Sequence, residues 1–293
     1  MKKLILFFSF IMVISFSLIS YANTSCATKY PVVLSHGVAY SGNGIFGIGY
    51  FYNIPKALQN DGAQVFVSNQ APIASTADRA AQLKTYIQQV LVTTKATKVN
   101  LVCHSMGGLD ARYMVSNLGM APYVASITTL CTPHRGSRVA DVILGLNKDM
   151  GGWISALANN VYAILFAGPT NAVAAAQWLS VKFMSSTFNP MTPDAAGIYY
   201  QSWSSTVDFP CALDKTVFAA SAALLYYYDG ANDGLVAKSS AKWDNYRGNQ
   251  GGSIFGSGVS HVNMCDQFLD YTPFFNAPGF YVSVVQDLVA RGY

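Results

Sequence analysis

The chain has 293 residues, of which 52% are hydrophobic and only 11% are charged, and its formal net charge is +4. Two of the positive charges are Lys2 and Lys3, so the rest of the chain carries about two charges fewer. The sequence has no basic cluster of the kind that binds a phosphate backbone, which argues against a nucleic-acid partner. Residues 23–293 are enough for one large domain with a sizeable core.

Residues 1–22 have the pattern of a secretory signal peptide. The sequence MKK precedes an apolar run over 4–19, and a small-x-Ala cleavage site ends at Ala22. The run is short and contains several serines, which argues against an uncleaved membrane anchor. We expect cleavage after Ala22 and export to an extracellular or periplasmic compartment.

Strands and helices alternate along the chain. Apolar runs predict strands at 30–34, 64–67, 99–103 and 127–131, and helical spacing predicts helices over 79–92 and from 106 to about 117. Residues 198–203 and 219–228 also have strand character, and the glycine-rich stretch 248–258 is typical of a loop. The alternation predicts an α/β fold with a mostly parallel sheet and helices on both faces.

Segment 139–188 differs from the rest in being rich in Ala, Leu, Gly and aromatic residues and poor in charge. Ordinary buried core helices are one interpretation. The segment lies between the fourth strand and the next, however, so we expect a mobile, helical, apolar lid over a site.

The sequence CHSMG at 103–107 lies where a buried strand meets a helix. A nucleophile elbow needs this context, because the tight turn lifts the serine side chain above the sheet. Gly107 and Gly108 supply the small residues after the serine, whereas Cys103 stands where such elbows usually have glycine. A serine that only caps the helix is the alternative. We expect Ser105 to be the nucleophile of an α/β-hydrolase fold.

A serine hydroxyl needs a base, and the chain has four histidines. His104 is adjacent to the serine and should point away from it, and His36 and His134 follow early strands. In this fold the order along the chain is serine, acid, histidine. Only His261 leaves room for an acid before it, so we expect His261 to be the base.

The acid must be an aspartate, because the sequence contains no glutamate. Asp229 and Asp233 both follow the run 219–228. Asp229 is followed by glycine and is typical of a turn, so Asp233 is the preferred acid.

An oxyanion hole requires two hydrogen-bond donors. One is the backbone N–H of the residue after the nucleophile, Met106. The other should come from the loop after the first strand, where Gly37 permits an unusual backbone and Val38 N–H is the expected donor.

With these residues identified, the chain resembles the bacterial secreted triacylglycerol lipases of the Pseudomonas and Burkholderia type. The resemblance covers most of residues 23–293 but is weak between 147 and 198. It rests on YPVVLSHG at 30–37, IP at 54–55, DGAQV at 61–65, KVNL at 98–101, HSMGG at 104–108, TPHRGS at 132–137 and NDGLV at 232–236. It implies a secreted α/β-hydrolase that cleaves long-chain acylglycerols at a lipid interface. Asp233 would be the acid, and Arg79 would support the oxyanion loop. We also expect a monomer.

The resemblance implies no cofactor for the chemistry but one structural calcium ion that steadies the histidine loop. Its ligands would be Asp214, Asn263, Gln267 and the backbone of Tyr271. Asn263 stands where the family has an aspartate, and the loss of a carboxylate weakens a site for a hard cation.

The five cysteines also depart from the family, whose disulfide would end at Ser239. If Asp214 and Asn263 share a site, Cys211 and Cys265 are close enough to bridge, so we expect a disulfide between them. Many family members need a dedicated folding chaperone, so the resemblance implies such a chaperone as a possible partner, although the altered disulfide leaves open whether this chain needs one.

Cys103 and Cys131 replace family glycines at the ends of two adjacent strands. They are either a second disulfide pair or buried free thiols. The sequence therefore predicts a secreted lipase with a Ser-His-Asp triad. A carboxylesterase, phospholipase or lipid acyltransferase would use the same triad, and a non-catalytic lipid-binding protein is the third class to test.

Overall fold

The sheet at the centre of the molecule has six parallel strands within the part of the chain that the structure describes. This computed structural model describes residues 25–38, 49–146, 172–208, 218–251, 258–267 and 275–293. The strands lie in the order β2-β1-β3-β4-β5-β6. Their bounds are β1 Val32–Ser35, β2 Val65–Val67, β3 Val99–His104, β4 Val124–Leu130, β5 Tyr199–Ser205 and β6 Asn245–Gln250.

Helices connect and cover these strands. Their bounds are α1 Ile54–Asn60, α2 Thr76–Thr94, α3 Met106–Asn117, α4 Arg138–Ile143, α5 Ala172–Leu179, α6 Val181–Phe183, α7 Asn189–Met191, α8 Ala219–Asp229, α9 Lys238–Ala241 and α10 Ala277–Ala290. A π-helical turn, Met184–Phe188, joins α6 to α7, and short 3-10 turns occupy Ala121–Tyr123 and Asn263–Cys265.

The central strands are buried on both faces, as a parallel sheet between helices requires. Val32 and Leu34 pack on one face with residues of α1 and α10, whereas Val33 packs on the other with residues of α2 and α3. This alternation follows from the two-residue period of a strand. The predicted α/β-hydrolase fold is confirmed, and the carboxyl ends of β3 and β4 meet at the edge that carries Ser105.

One strand prediction is wrong, because residues 219–228 lie within helix α8. The tyrosines at 226–228 favoured a strand, but Ala and Leu are the strongest helix formers and dominate the first seven residues. Ser221, Ala222, Leu224 and Leu225 form the buried face, while the tyrosines stay partly exposed. The sixth strand comes later, where β6 pairs with β5 and includes Gly248, which had been assigned to a loop.

Much of the described part of segment 139–188 is helical: it contains α5, α6, the π-helical turn Met184–Phe188 and all of α4 except its first residue. The middle of that segment, 147–171, lies outside the described residues, as does the expected signal peptide, 1–22. None of the described helices combines the length and the apolar character that crossing a membrane requires.

Candidate active site

Ser105 lies on a sharp turn between β3 and α3, with φ 55° and ψ −132°. A residue other than glycine rarely adopts such a backbone, and the surrounding structure must hold it there. The Ser105 N–H donates a hydrogen bond of 2.9 Å to the carbonyl oxygen of Leu130, the last residue of β4. The turn is therefore fastened to the neighbouring strand.

Gly107 and Gly108 are required for this turn by close packing. A Cβ at Gly107 would lie 2.5 Å from the Ser35 carbonyl oxygen, which belongs to the backbone and has little room to move. A Cβ at Gly108 would collide with the Thr132 side chain. The sequence requirement for small residues after the nucleophile thus has a direct steric cause.

The three residues predicted as a triad lie together. Nε2 of His261 is 2.9 Å from Oγ of Ser105, and Nδ1 of His261 is 2.7 Å from Oδ2 of Asp233. His261 N–H also donates to the Asp233 carbonyl oxygen at 2.9 Å, which ties the two loops together. The hydroxyl thus lies within reach of an imidazole held from behind by a carboxylate.

The second oxygen of Asp233 is also occupied. Oδ1 accepts the N–H groups of Leu235 and Val236 at 3.0 and 2.7 Å. These two bonds fix the carboxylate so that Oδ2 faces the histidine. The alternative acid, Asp229, instead forms a half-exposed ion pair with Arg138 at 3.1 Å.

The expected oxyanion donors belong to segments that adjoin the nucleophile. Met106 begins α3 directly after Ser105, and Val38 lines the same cavity as Ser105 and His261. The loop before Val38 packs very tightly, since a Cβ at Gly37 would lie 2.6 Å from the Ser105 Cβ. Glycine is needed here because the backbone passes against the nucleophile.

Arg79 supports this loop from below. Its Nη2 donates to the His36 carbonyl oxygen at 2.6 Å, and its Nη1 donates to the Ala71 carbonyl oxygen at 2.5 Å. Nε forms a fully buried ion pair with Asp110 at 2.8 Å. Burial raises the pKa of the Asp110 carboxyl to about 7, against the opposing effect of Arg79. The sequence did not identify Asp110, because an aspartate inside a helix carries no distinctive pattern.

A mostly apolar cavity opens beside Ser105. Residues from α4 and α5 form much of its wall, including Val139, Ile143 and Leu179. The described ends of the expected lid segment therefore line the space next to the nucleophile. A second, smaller cavity meets the first at Ser105 and is lined in part by Tyr50 and His104.

The remaining histidines are buried and held neutral. Burial and the nearby Arg79 lower the pKa of His36 to about 3. Burial also lowers the pKa of His104 and of His134 well below the ordinary value. His36 Nδ1 donates to the Gly37 carbonyl oxygen and its Nε2 accepts from Gln70 N–H, so this residue braces the oxyanion loop.

Tyr50 was missed by the sequence reasoning, and no local pattern singles it out. Its hydroxyl lies 2.7 Å from Nδ1 of His104 and lines the second cavity. It also stands close to the Gly37 backbone, where an added Cβ would lie 2.7 Å from the hydroxyl. Tyr50 therefore connects the oxyanion loop to the residue that precedes the nucleophile.

Two of the four expected calcium ligands, Asp214 and Tyr271, lie outside the described residues. Asn263 Oδ1 accepts the Ser260 N–H at 3.0 Å, and Gln267 Nε2 donates to the carbonyl oxygens of Gly49 and Tyr50. Both amides thus fasten the loop around His261 to neighbouring backbone.

Cys265 of the expected Cys211–Cys265 disulfide is a free, buried thiol that packs in the core and contacts the Tyr50 hydroxyl. Cys211 lies outside the described residues, so this pairing stays a prediction. The second candidate pair is not formed, because Cys103 and Cys131 pack in hydrophobic clusters on opposite faces of the sheet. Both are buried free thiols.

A serine on a strand-to-helix elbow, bonded in series to a histidine and an aspartate, defines the serine-hydrolase site of the α/β-hydrolase fold. The chain matches the alpha/beta hydrolase fold family over residues 30–167. A triacylglycerol lipase of Vibrio cholerae is 32% identical over 252 residues, which cover 76% of this chain and 78% of that protein.

A triacylglycerol lipase of Burkholderia plantarii is 39% identical over 186 residues, 59% of this chain and 51% of the relative. The chain thus spans about half the length of the curated relatives that it matches at this identity. A crystal structure of a Bacillus licheniformis lipase shares the fold, with a TM-score of 0.60, 20% identity and coverage of 81% of this chain and 87% of that one. The chain belongs to the bacterial triacylglycerol lipase family.

The buried ion pair of Arg79 and Asp110 predicts that removing one partner destabilises the protein more than removing both. Arg79→Met leaves a buried carboxylate without its partner, so we expect a loss of about 3–5 kcal/mol in the free energy of unfolding. The double variant Arg79→Met/Asp110→Leu removes both charges and should regain part of that loss. Urea denaturation measures both, and a loss below about 1 kcal/mol in the single variant would contradict the account.

The three buried histidines predict acid sensitivity. Their pKa values in the folded protein lie below the unfolded value, so the unfolded chain takes up protons first and stability falls as the pH decreases below about 6.5. Together they should lower the free energy of unfolding by about 4 kcal/mol between about pH 7.5 and about pH 5.5. Asp110, whose pKa burial raises to about 7, opposes this by about 2 kcal/mol, because the folded protein takes up its proton in the same range. The expected net loss is therefore about 2 kcal/mol. Urea denaturation at the two pH values is the measurement, and equal stabilities would refute this assignment.

Proposed function

We propose that this protein hydrolyses carboxylic esters of acylglycerols, with Ser105 as nucleophile, His261 as general base and Asp233 as the acid that orients it. The observation that carries the proposal is the series of contacts at 2.9 and 2.7 Å through His261, beside an apolar cavity. The family membership supports the same chemistry.

The reaction begins when Ser105 Oγ attacks the ester carbonyl and its proton passes to Nε2 of His261. Asp233 holds Nδ1–H and stabilises the imidazolium that forms. The N–H groups of Met106 and Val38 are the proposed donors to the oxyanion, and the N-terminal position of Met106 in α3 adds the favourable helix dipole.

The tetrahedral intermediate then collapses to an acyl-enzyme. His261 gives its proton to the departing alcohol, and the Ser105 ester remains. Water enters, loses a proton to His261 and releases the fatty acid by the same steps in reverse order. No group outside the triad and the backbone donors is required for this cycle.

The walls of the larger cavity support an acyl chain as the group bound beside Ser105. Val139, Ile143 and Leu179 contribute only hydrocarbon surface. Burial of methylene groups against such a wall contributes about 0.8 kcal/mol each, so longer acyl chains bind better until the cavity is filled. Exposed Leu146 and Val173 flank segment 147–171 and support contact with a lipid–water interface.

Export, a monomeric state and a possible lipase-specific folding chaperone remain proposals from the sequence. Residues 1–22, on which export depends, lie outside the described residues.

Hydrolysis of triacylglycerols of graded chain length tests the function. Wild type should prefer long acyl chains and accelerate when the substrate passes from monomers to an emulsion. Ser105→Ala should reduce kcat by at least about 1000-fold while the protein stays folded. Turnover that persists in Ser105→Ala would overturn the mechanism, and a preference for phospholipids or for soluble short-chain esters would replace the substrate class.

A structural calcium ion is a separate proposal, with Asp214, Asn263, Gln267 and Tyr271 as its ligands. Asn263 lies on the loop that carries His261, where its Oδ1 accepts the Ser260 N–H, and an amide oxygen is a type of ligand that calcium accepts. Asn263 is neutral, however, so we propose weak binding that stabilises the His261 loop and takes no part in the chemistry.

Thermal unfolding with and without calcium tests that site. Calcium should raise the melting temperature of wild type slightly and that of Asn263→Asp more strongly, since the variant restores a carboxylate ligand. An Asn263→Asp variant that responds to calcium no more than wild type would rule out this ligand set.

A further inference from the structure

Beneath the catalytic histidine lies a cluster of three side chains of the kind that bind soft metal ions. One ligand atom from each of His104, Cys131 and His261 lies within 4.8 Å of the others, and all three residues are buried. In the part of the chain that the structure describes, no other three His, Cys or Asp side chains bring their ligand atoms this close together. Only His261 of the three has a role in the proposed reaction.

His104 is the member whose arrangement points to a ligand. Its side chain is buried, with 1% exposure, and its Nε2 has no hydrogen-bond partner in the described structure. The ring lies close enough to the His261 backbone for that backbone to affect its pKa, but Nε2 forms no hydrogen bond with it. A buried polar atom without a partner is costly and calls for a specific explanation.

The contacts of the other nitrogen of His104 allow the tautomer that a metal ligand needs. Nδ1 lies 2.7 Å from the Tyr50 hydroxyl, and that hydroxyl also contacts the Cys265 thiol. A tyrosine has one proton to donate. When Tyr50 donates to Cys265, Nδ1–H of His104 donates to Tyr50 and Nε2 is left with a bare lone pair. Such a nitrogen is a ready metal ligand.

Cys131 completes the donor set. Its thiol is buried and free, lies 3.1 Å from the Ser205 hydroxyl, and interacts with the Asp233 carboxylate. A thiolate and two imidazoles are the ligands that Zn²⁺ and its heavier congeners prefer. The nearby carboxylate adds negative charge, which favours a cation at this position.

Two members of the cluster line the second cavity beside Ser105, namely His104 and His261. Cys131 does not line this cavity, so a cation must enter past the two imidazoles. A tetrahedral zinc ion holds nitrogen and sulfur ligands about 3.5 Å apart. The three groups must therefore draw together by about 1 Å, which moves His261.

We propose that His104, Cys131 and His261 form an inhibitory site for a thiophilic divalent cation such as Zn²⁺. Its inhibitory consequence rests on the proposed function, whereas binding itself does not. The Cys131 thiol releases one proton to solvent, the thiolate and the two imidazoles bind the cation, and no electron is transferred. Ligation of either nitrogen of His261 breaks its contact with Ser105 or with Asp233, so the base is lost.

Two variants separate this site from other thiols. Cys131→Ser replaces the soft ligand with a poor one of similar size, and Cys131→Gly suits the backbone there, since Cys131 has φ 53°. Cys103→Ala is the matched control, because Cys103 is also buried at the carboxyl end of a strand but faces the opposite side of the sheet.

Titration with Co²⁺, a spectroscopic substitute for Zn²⁺, tests binding without any turnover. Calcium is kept constant throughout. Wild type, Ser105→Ala and Cys103→Ala should each develop a thiolate-to-cobalt charge-transfer band that saturates at one equivalent, and Zn²⁺ should abolish it. The band should be lost in Cys131→Ser and Cys131→Gly. No band in wild type, or an undiminished band in both Cys131 variants, would overturn the proposal.

Inhibition of ester hydrolysis by Zn²⁺ tests the consequence, with each rate expressed relative to that variant's own metal-free rate. The inhibition constant should rise by more than about tenfold in both Cys131 variants and stay unchanged in Cys103→Ala, and a chelator should restore activity. Equal inhibition of all variants would contradict the site. A cobalt band in a protein that hydrolyses no ester would instead refute the proposed function and leave the metal site standing.

Discussion

Ser105 has a backbone conformation, φ 55° and ψ −132°, that a serine keeps only when its neighbours impose it. The neighbours are visible: Leu130 accepts its N–H, and the glycine at 107 lets α3 start directly against the Ser35 carbonyl. The strain is of order 1–3 kcal/mol and is offset by the buried sheet on which the turn stands. It places the hydroxyl 2.9 Å from His261, and the proposed chemistry depends on that placement.

Around this turn, charge is confined to a few places. Arg79 and Asp110 form a buried pair whose guanidinium also holds the His36 carbonyl, so one cation supports the oxyanion loop and balances a carboxylate. The histidines at 36, 104 and 134 are held neutral by burial, which lowers their pKa values. In such a dry environment the fixed dipoles aimed at the oxyanion act more strongly than they would in water.

The sequence was sufficient where a steric or chemical requirement is local. The elbow, its two glycines and the serine, aspartate and histidine order could be predicted because each requires particular residue types at short spacing. Helix α8 was misjudged because three tyrosines outweighed the alanines and leucines before them, although the buried face has helical spacing. For Cys103 and Cys131 the sequence left a disulfide and free thiols open, because the two residues end adjacent strands; the structure shows free thiols whose side chains face opposite sides of the sheet. Tyr50 and Asp110 act only through tertiary contacts, which no local pattern shows.

The account's central claim is that Ser105 becomes acylated because His261 removes its proton. The most direct test is labelling with a fluorophosphonate, followed by peptide mass spectrometry of the modified protein. The account predicts a single adduct on Ser105, formed rapidly in wild type and at least about 1000-fold more slowly in His261→Ala. An adduct on a different residue, or labelling of Ser105 at an unchanged rate without the imidazole, would contradict it.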